Sequence, residues 1–175
     1  MKRLAWIMGL LLIVGPMGCG KSDKVTAPPA PTPATWRTTT VDAAGTGGTW
    51  TSLALDALGN PRISYDEFSN YGLKYAAKNG ATWTVETVAA SGAVGEYTSL
   101  ALDAQGNPRI SYHDQTNGDL KYAAKSGGTW TLVTVDATGY VGSYTSLALD
   151  AQGNPRISYW DLTNVDLKYA DWGVH

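Results

Sequence analysis

One pattern constrains this chain more than any other. The run TSLALDALGNPRISY at 51–65 returns as TSLALDAQGNPRISY at 98–112 and again at 145–159, and Trp36, Trp83 and Trp130 keep the same spacing of 47 residues. A period of that size marks a repeat architecture, in which one unit cannot bury its own apolar face and has to stack on its neighbours. The copies run 36–82, 83–129 and 130–175 and fill the chain beyond residue 35.

Within a copy, four β-prone runs alternate with turn residues. In the second they are WTVETV from Trp83, YTSLALD from Tyr97, PRISYHD from Pro108 and LKYAAK from Leu120. No helical period appears, so the fold class is all-β. Alternation puts Leu100 and Leu102 on one face with Ser99 and Ala101 on the other, and it sets Ile110 and Tyr112 against Arg109 and Ser111. A bulky face and a small face suit sheets that stack large on small. The expected architecture is therefore three four-stranded antiparallel repeats serving as blades of a β-propeller. The alternative is a β-trefoil, which also uses three four-stranded units but does not call for two packed faces per strand.

The ends of the repeat are offset. The third copy stops after LKYADW without a further strand, whereas the segment 36–41 supplies a leading one. Propellers have about 4 to 8 blades, so three blades read as half of a six-bladed ring, closed as a homodimer by exchange of these strands; the rival reading is a truncated gene that has lost the other blades.

The turns have their own chemistry. Asp56, Asp103 and Asp150 each stand three residues before a glycine, where the carboxylate caps turn amides and the glycine takes positive φ. Arg62, Arg109 and Arg156 recur beside these turns and are expected to bond them. The remaining connections vary between copies and lie on one rim. There Asp66, His113 and Trp160 are equivalent, followed by Asp114 and Asp161 and by Gln115; the other loop adds Glu96 and Tyr140. Together with Trp50, Tyr97 and Tyr144 they make an aromatic surface beside carboxylates, a chemistry that stacks on sugar rings and hydrogen-bonds hydroxyls. The competing expectation for those three inner-strand aromatics is packing between sheets.

The blade L-D-x-x-G-N-P-R-I-S-Y-x-D followed by D-L-K-Y-A, over residues 36–170, resembles repeats of secreted bacterial β-propellers similar to fucose-binding lectins and sialidase-like propellers. The resemblance implies a propeller and a glycan ligand, hence a lectin-like binding module. A structural or protein-interaction propeller is the second reading and a glycan hydrolase the third. No catalytic constellation is visible: His113 and His175 are the only histidines, and no carboxylate pair stands out. No metal site or cofactor is expected, because the runs 114–119 and 161–166 lack the oxygen-ligand density of calcium loops.

Before the repeats, Lys2 and Arg3 precede an apolar run from Leu4 to Val14, then Gly18 and Cys19, the only cysteine. That is the layout of an export leader, 1–18, and is too short for a span of about 20 apolar residues. The junction resembles a bacterial lipobox, departing from it at Pro16 where the motif carries Leu, and implies lipidation of Cys19. The proline-rich segment 19–35 reads as a tether. The resulting address is the bacterial envelope, outer membrane or cell surface, with membrane contact through the lipid anchor only. Without Lys2 and Arg3 the 13 basic side chains become 11, against 15 acidic, a formal charge of −4. No basic patch is present, so nucleic acid is not an expected partner.

Overall fold

The computed structural model describes residues 34–44 and 47–173. The leader, Cys19 and nearly all of the tether lie outside the described residues. Among the described residues no helix is long and apolar enough to cross a membrane. The chain divides after Arg37 into two units. Of the first, residues 34–37 are exposed and without regular structure.

The second unit is all-β, with three antiparallel sheets. Strands β1 (Gly47–Leu55), β2 (Pro61–Glu67), β3 (Gly72–Asn79) and β4 (Thr82–Ala89) form sheet 1 in chain order. Strands β5 (Val94–Leu102), β6 (Pro108–Asp114), β7 (Asp119–Ser126) and β8 (Thr129–Asp136) form sheet 2. Sheet 3 has β9 (Val141–Leu149), β10 (Pro155–Asp161) and β11 (Asp166–Asp171), with no fourth strand among the described residues. The sheets are offset from the sequence copies, because the run that opens the second copy closes sheet 1 and the run that opens the third closes sheet 2. The segment 36–41, expected as a strand, is irregular in the single chain. A strand exists by pairing, and here it has no paired neighbour.

Successive sheets stack through one repeated interface. Leu100, Leu102, Ile110 and Tyr112 from sheet 2 pack on Ala54, Leu73, Tyr75 and Ala77 from sheet 1. Their counterparts 47 residues on, Leu147, Leu149, Ile157 and Tyr159, pack on Ala101, Leu120 and Tyr122. The small face is polar where it is closest. Ser52 Oγ accepts from the Leu100 amide and Ser99 Oγ from the Leu147 amide, both at 3.0 Å. Thr98 Oγ1 donates to Ser64 Oγ at 2.8 Å, and Ser111 and Thr145 share a 2.7 Å bond. Buried hydroxyls that partner across the seam avoid the cost of leaving either unsatisfied, and they fix how one sheet sits on the next.

The β1–β2, β5–β6 and β9–β10 turns are alike. Asp103 Oδ1 accepts from the amides of Gln105 and Asn107, while Oδ2 takes the Asn107 side chain and Arg109 Nη2. Asp56 with Arg62 and Asp150 with Arg156 repeat the arrangement at 2.8 Å. The recurring aspartates and arginines thus close turns, as their spacing suggests.

Candidate ligand-binding rim

At the opposite end of the sheets lie the variable connections. The register of each first strand slips there, so that Trp50 and Thr51 oppose Tyr65, Tyr97 and Thr98 oppose Tyr112, and Tyr144 and Thr145 oppose Tyr159. The first residue of each of these bulges is left-handed, with φ of 49°, 53° and 52° at Trp50, Tyr97 and Tyr144. Such a position ordinarily selects glycine, and an aromatic residue held there carries about 1–3 kcal/mol of strain. The bulge turns each ring out of the sheet's alternation and lines the three up across the sheets.

The rings form a continuous row. Trp50 and Tyr97 have centroids 4.0 Å apart, Tyr97 and Tyr144 4.4 Å, and Tyr144 and Trp160 5.8 Å. A branch runs from Tyr97 to His113 at 6.1 Å and on to Tyr140 at 5.0 Å. Tyr144 is 63% exposed and Trp50 is also exposed, so these side chains are not sealed between sheets. Tyr97 is half-buried, and burial together with the neighbouring Tyr144 hydroxyl pushes its phenol up to about 12. On the β2–β3 turn, Phe68 and Tyr71 add a second exposed ring pair at 5.9 Å.

Polar groups adjoin the row. Asp66 is buried and accepts from Thr49 Oγ1 at 3.0 Å. Burial raises its carboxyl above the usual range, and the charges of Glu96 and Glu67 push the same way. Glu96 is half-buried, and its Oε2 stands 3.5 Å from Nδ1 of the buried His113. Burial draws the His113 imidazole below its ordinary value in spite of that carboxylate. Among the described residues neither ring nitrogen of His113 has a hydrogen-bond partner.

The other expected ligand residues have different surroundings. Asp114 and Asp161 are buried turn caps, accepting from the backbone and side-chain amides of Asn117 and Asn164 respectively. Lys121 and Lys168 stand 3.6 and 3.7 Å from them. Their oxygens are committed to the turn, which argues against the ligand contacts expected of them. Gln115 is exposed, its amide bonded to Ala93 O. Asp66 and His113, expected among the ligand-binding residues of the rim, are buried. Trp160 at the same position is half-buried, at the end of the ring row. Sequence reasoning did not single out Tyr71; the available signal was its equivalence to Gly118, which marks a left-handed turn position.

No group of three or more metal-ligating side chains occurs among the described residues. No protein-family model matches the chain, and no curated protein is significantly similar to it.

Proposed function

We propose that the three sheets are blades of a β-propeller and that the protein is a lectin-like module, binding carbohydrate on its aromatic rim. The propeller reading is supported by separate meander sheets stacked face to face through one repeated interface. A trefoil would instead have the repeats share strand pairing, and among the described residues the strands fall into three separate sheets. Export and a lipid on Cys19 would hold this module at the bacterial envelope behind its proline-rich tether.

The observation that carries the binding reading is the ring row Trp50–Tyr97–Tyr144–Trp160, exposed at Trp50 and Tyr144 and half-buried at the other two, with its first three rings held by strained bulges. Aromatic faces stack on the C–H face of a pyranose, while the Glu96 carboxylate and the tyrosine hydroxyls offer partners to its hydroxyls.

A glycan array probed with the protein tests this. Binding to a definable glycan class is expected, and Tyr144→Ala or Trp160→Ala should weaken it by roughly tenfold, the equivalent of one lost stacking contact. Absence of binding across the array, or binding indifferent to both substitutions, would overturn the reading.

A further inference from the structure

The interface that joins the sheets occurs twice inside the chain, and each half of it is left over once. The bulky half is bare on sheet 1: Leu53 is 62% exposed, whereas its equivalents Leu100 and Leu147 are 7% and 9%. The small half is bare on sheet 3: Leu167 is 85% exposed, whereas Leu73 and Leu120 are completely buried. The two bare faces are the two sides of an interface the chain already makes. Gly48 fits the same account. A Cβ on Gly95 or Gly142 would strike the backbone of Leu73 or Leu120 in the preceding sheet, at 2.9 and 2.7 Å, while one on Gly48 meets nothing. The missing neighbour would be Leu167 of another sheet 3.

A groove of about 600 Å³ lies beside β11, lined by Tyr122, Val133, Ala170 and Trp172 among others. At the preceding interface the fourth strand of sheet 2 covers the equivalent site, with Trp130 edge-on to Tyr75 at 5.6 Å. Tyr122 is the counterpart of Tyr75, and Trp36 is the counterpart of Trp130. Trp36 is wholly exposed in the single chain.

We infer that two copies of this chain close on each other, each lending its segment 36–41 as the fourth strand of the other's sheet 3. The pairing of β7 with β8, advanced by one repeat, sets the register. Ala170 faces Thr38 of the second copy, and Tyr169 faces Thr39. Asp171 faces Arg37 at a position where the internal sheets carry only Ala77 with Thr84 and Ala124 with Thr131. Asp171 already holds Arg156 Nη1 at 2.7 Å within its own sheet, and Arg37 would add a second cation to that carboxylate at the junction between chains.

Asp42 anchors the exit of the segment. It accepts from the Tyr65 hydroxyl at 2.6 Å and stands 3.9 Å from Lys74. Asp136, its equivalent at the end of β8, bonds Tyr159 and Lys168 in the same way. The chain therefore enters sheet 1 as it enters sheet 3, coming from the outer strand of a preceding sheet. The segment cannot fill its own chain's groove, because Asp42 is tied to sheet 1 while the groove lies beyond sheet 2. Six extended residues span about 20 Å at most, and sheets stack about 10 Å apart.

Two chains give six sheets, the only multiple of three within the usual range of about 4 to 8 blades. Closure also extends the ring row, setting Trp50 of the second copy beside Tyr144 as Tyr97 stands beside Trp50. The inference rests on the propeller reading of the sheets and not on carbohydrate binding.

The mass of the full chain in solution, by light scattering or native mass spectrometry, is the test. A dimer is expected, with alternate amides of 37–41 protected from hydrogen exchange. Leu53→Asp and Leu167→Asp alter side chains that are exposed in the single chain, so each should leave the strand content unchanged. Each should weaken self-association by roughly 100-fold or more and release the amides of 37–41. A monomeric or trimeric native chain overturns the inference, as does a dimer that survives both substitutions or leaves 37–41 unprotected.

Discussion

The two ends of the sheets follow opposite rules. At the turn end, one aspartate, one asparagine and one arginine recur in every sheet with near-identical distances. At the aromatic end, the same backbone bulge recurs three times while the side chains around it change. A single position there holds Asp66, His113 and Trp160 in the three sheets. The lesson is that this fold fixes its backbone at both ends and leaves chemical variety to one of them.

The largest effect should come from disturbing the backbone at the variable end. Gly142 has φ of 97°, and a Cβ there would lie 2.7 Å from Leu120 Cα. Gly142→Ala combines a left-handed penalty with a clash against main chain that cannot swing aside, and should cost about 3 kcal/mol or more. Urea unfolding measures it. A loss under about 1 kcal/mol would mean that the seam between sheets 2 and 3 is looser than its hydrogen bonds imply.

Next comes the turn end. Asp103→Ala removes the acceptor for two backbone amides, for the Asn107 side chain and for Arg109. A loss of about 2 kcal/mol is expected, with glycan binding unchanged because the substitution is at the far end of the sheet. The carboxyls of Asp56 and Asp103 lie below the ordinary carboxylate range, and that of Asp150 lies at about 2, each held down by its turn partners. Groups with depressed folded-state values stabilise the fold above about 3.8 and lose that contribution as pH falls toward 2. Acid unfolding should therefore set in below pH 4, and Asp103→Ala should blunt it.

The sequence made the turn end legible and the other end only partly so. Asp-x-x-Gly-Asn-Pro-Arg, repeated three times, specifies the turn through local chemistry alone. The all-β class and the missing fourth strand of the third sheet also follow from the repeat and its offset ends. The variable end misleads, because a position occupied by Asp, His and Trp reads as solvent-facing when Asp66 and His113 are in fact buried. What permits this is long-range: Thr49, which bonds Asp66, comes from a different strand, and Glu96, whose charge acts on it, from a different sheet. The turn role of Asp114 and Asp161 is legible in the runs 114–119 and 161–166, whose Asp-x-x-Asn spacing to Asn117 and Asn164 suits a hairpin turn. The bulges at Trp50, Tyr97 and Tyr144 could not be read, since nothing local makes an aromatic residue left-handed.

A smaller effect separates the equivalent residues Asp66 and His113. Burial disfavours the charged form of each, so their signs differ with pH. The depressed imidazole of His113 contributes stability above the ordinary histidine value of 6.5 and loses it as pH falls through the folded value. The raised carboxyl of Asp66 contributes below its unfolded value of 3.8 and loses that as pH rises through the folded value. Between pH 7 and 5 the urea midpoint should therefore fall, and His113→Phe should flatten that slope. Asp66→Asn should instead raise the midpoint at pH 7. An unchanged slope in His113→Phe would place the titrating group elsewhere.

The smallest effect on stability is expected where the effect on binding is largest. Tyr144 is mostly exposed, and its ring meets Tyr97 at 4.4 Å and Trp160 at 5.8 Å. Tyr144→Ala gives up these partly solvated contacts, worth about 0.5–1.5 kcal/mol. It also eases a left-handed φ that burdens a bulky residue more than a small one, so the net change should be below about 0.5 kcal/mol. Tyr144→Gly, which removes the backbone strain altogether, should match or exceed the native stability. If both variants instead unfold by about 2 kcal/mol or more, on the usual scale of core losses, the row is structural glue between sheets. The variable end would then be scaffold like the turn end, with its strained bulges serving assembly rather than a ligand.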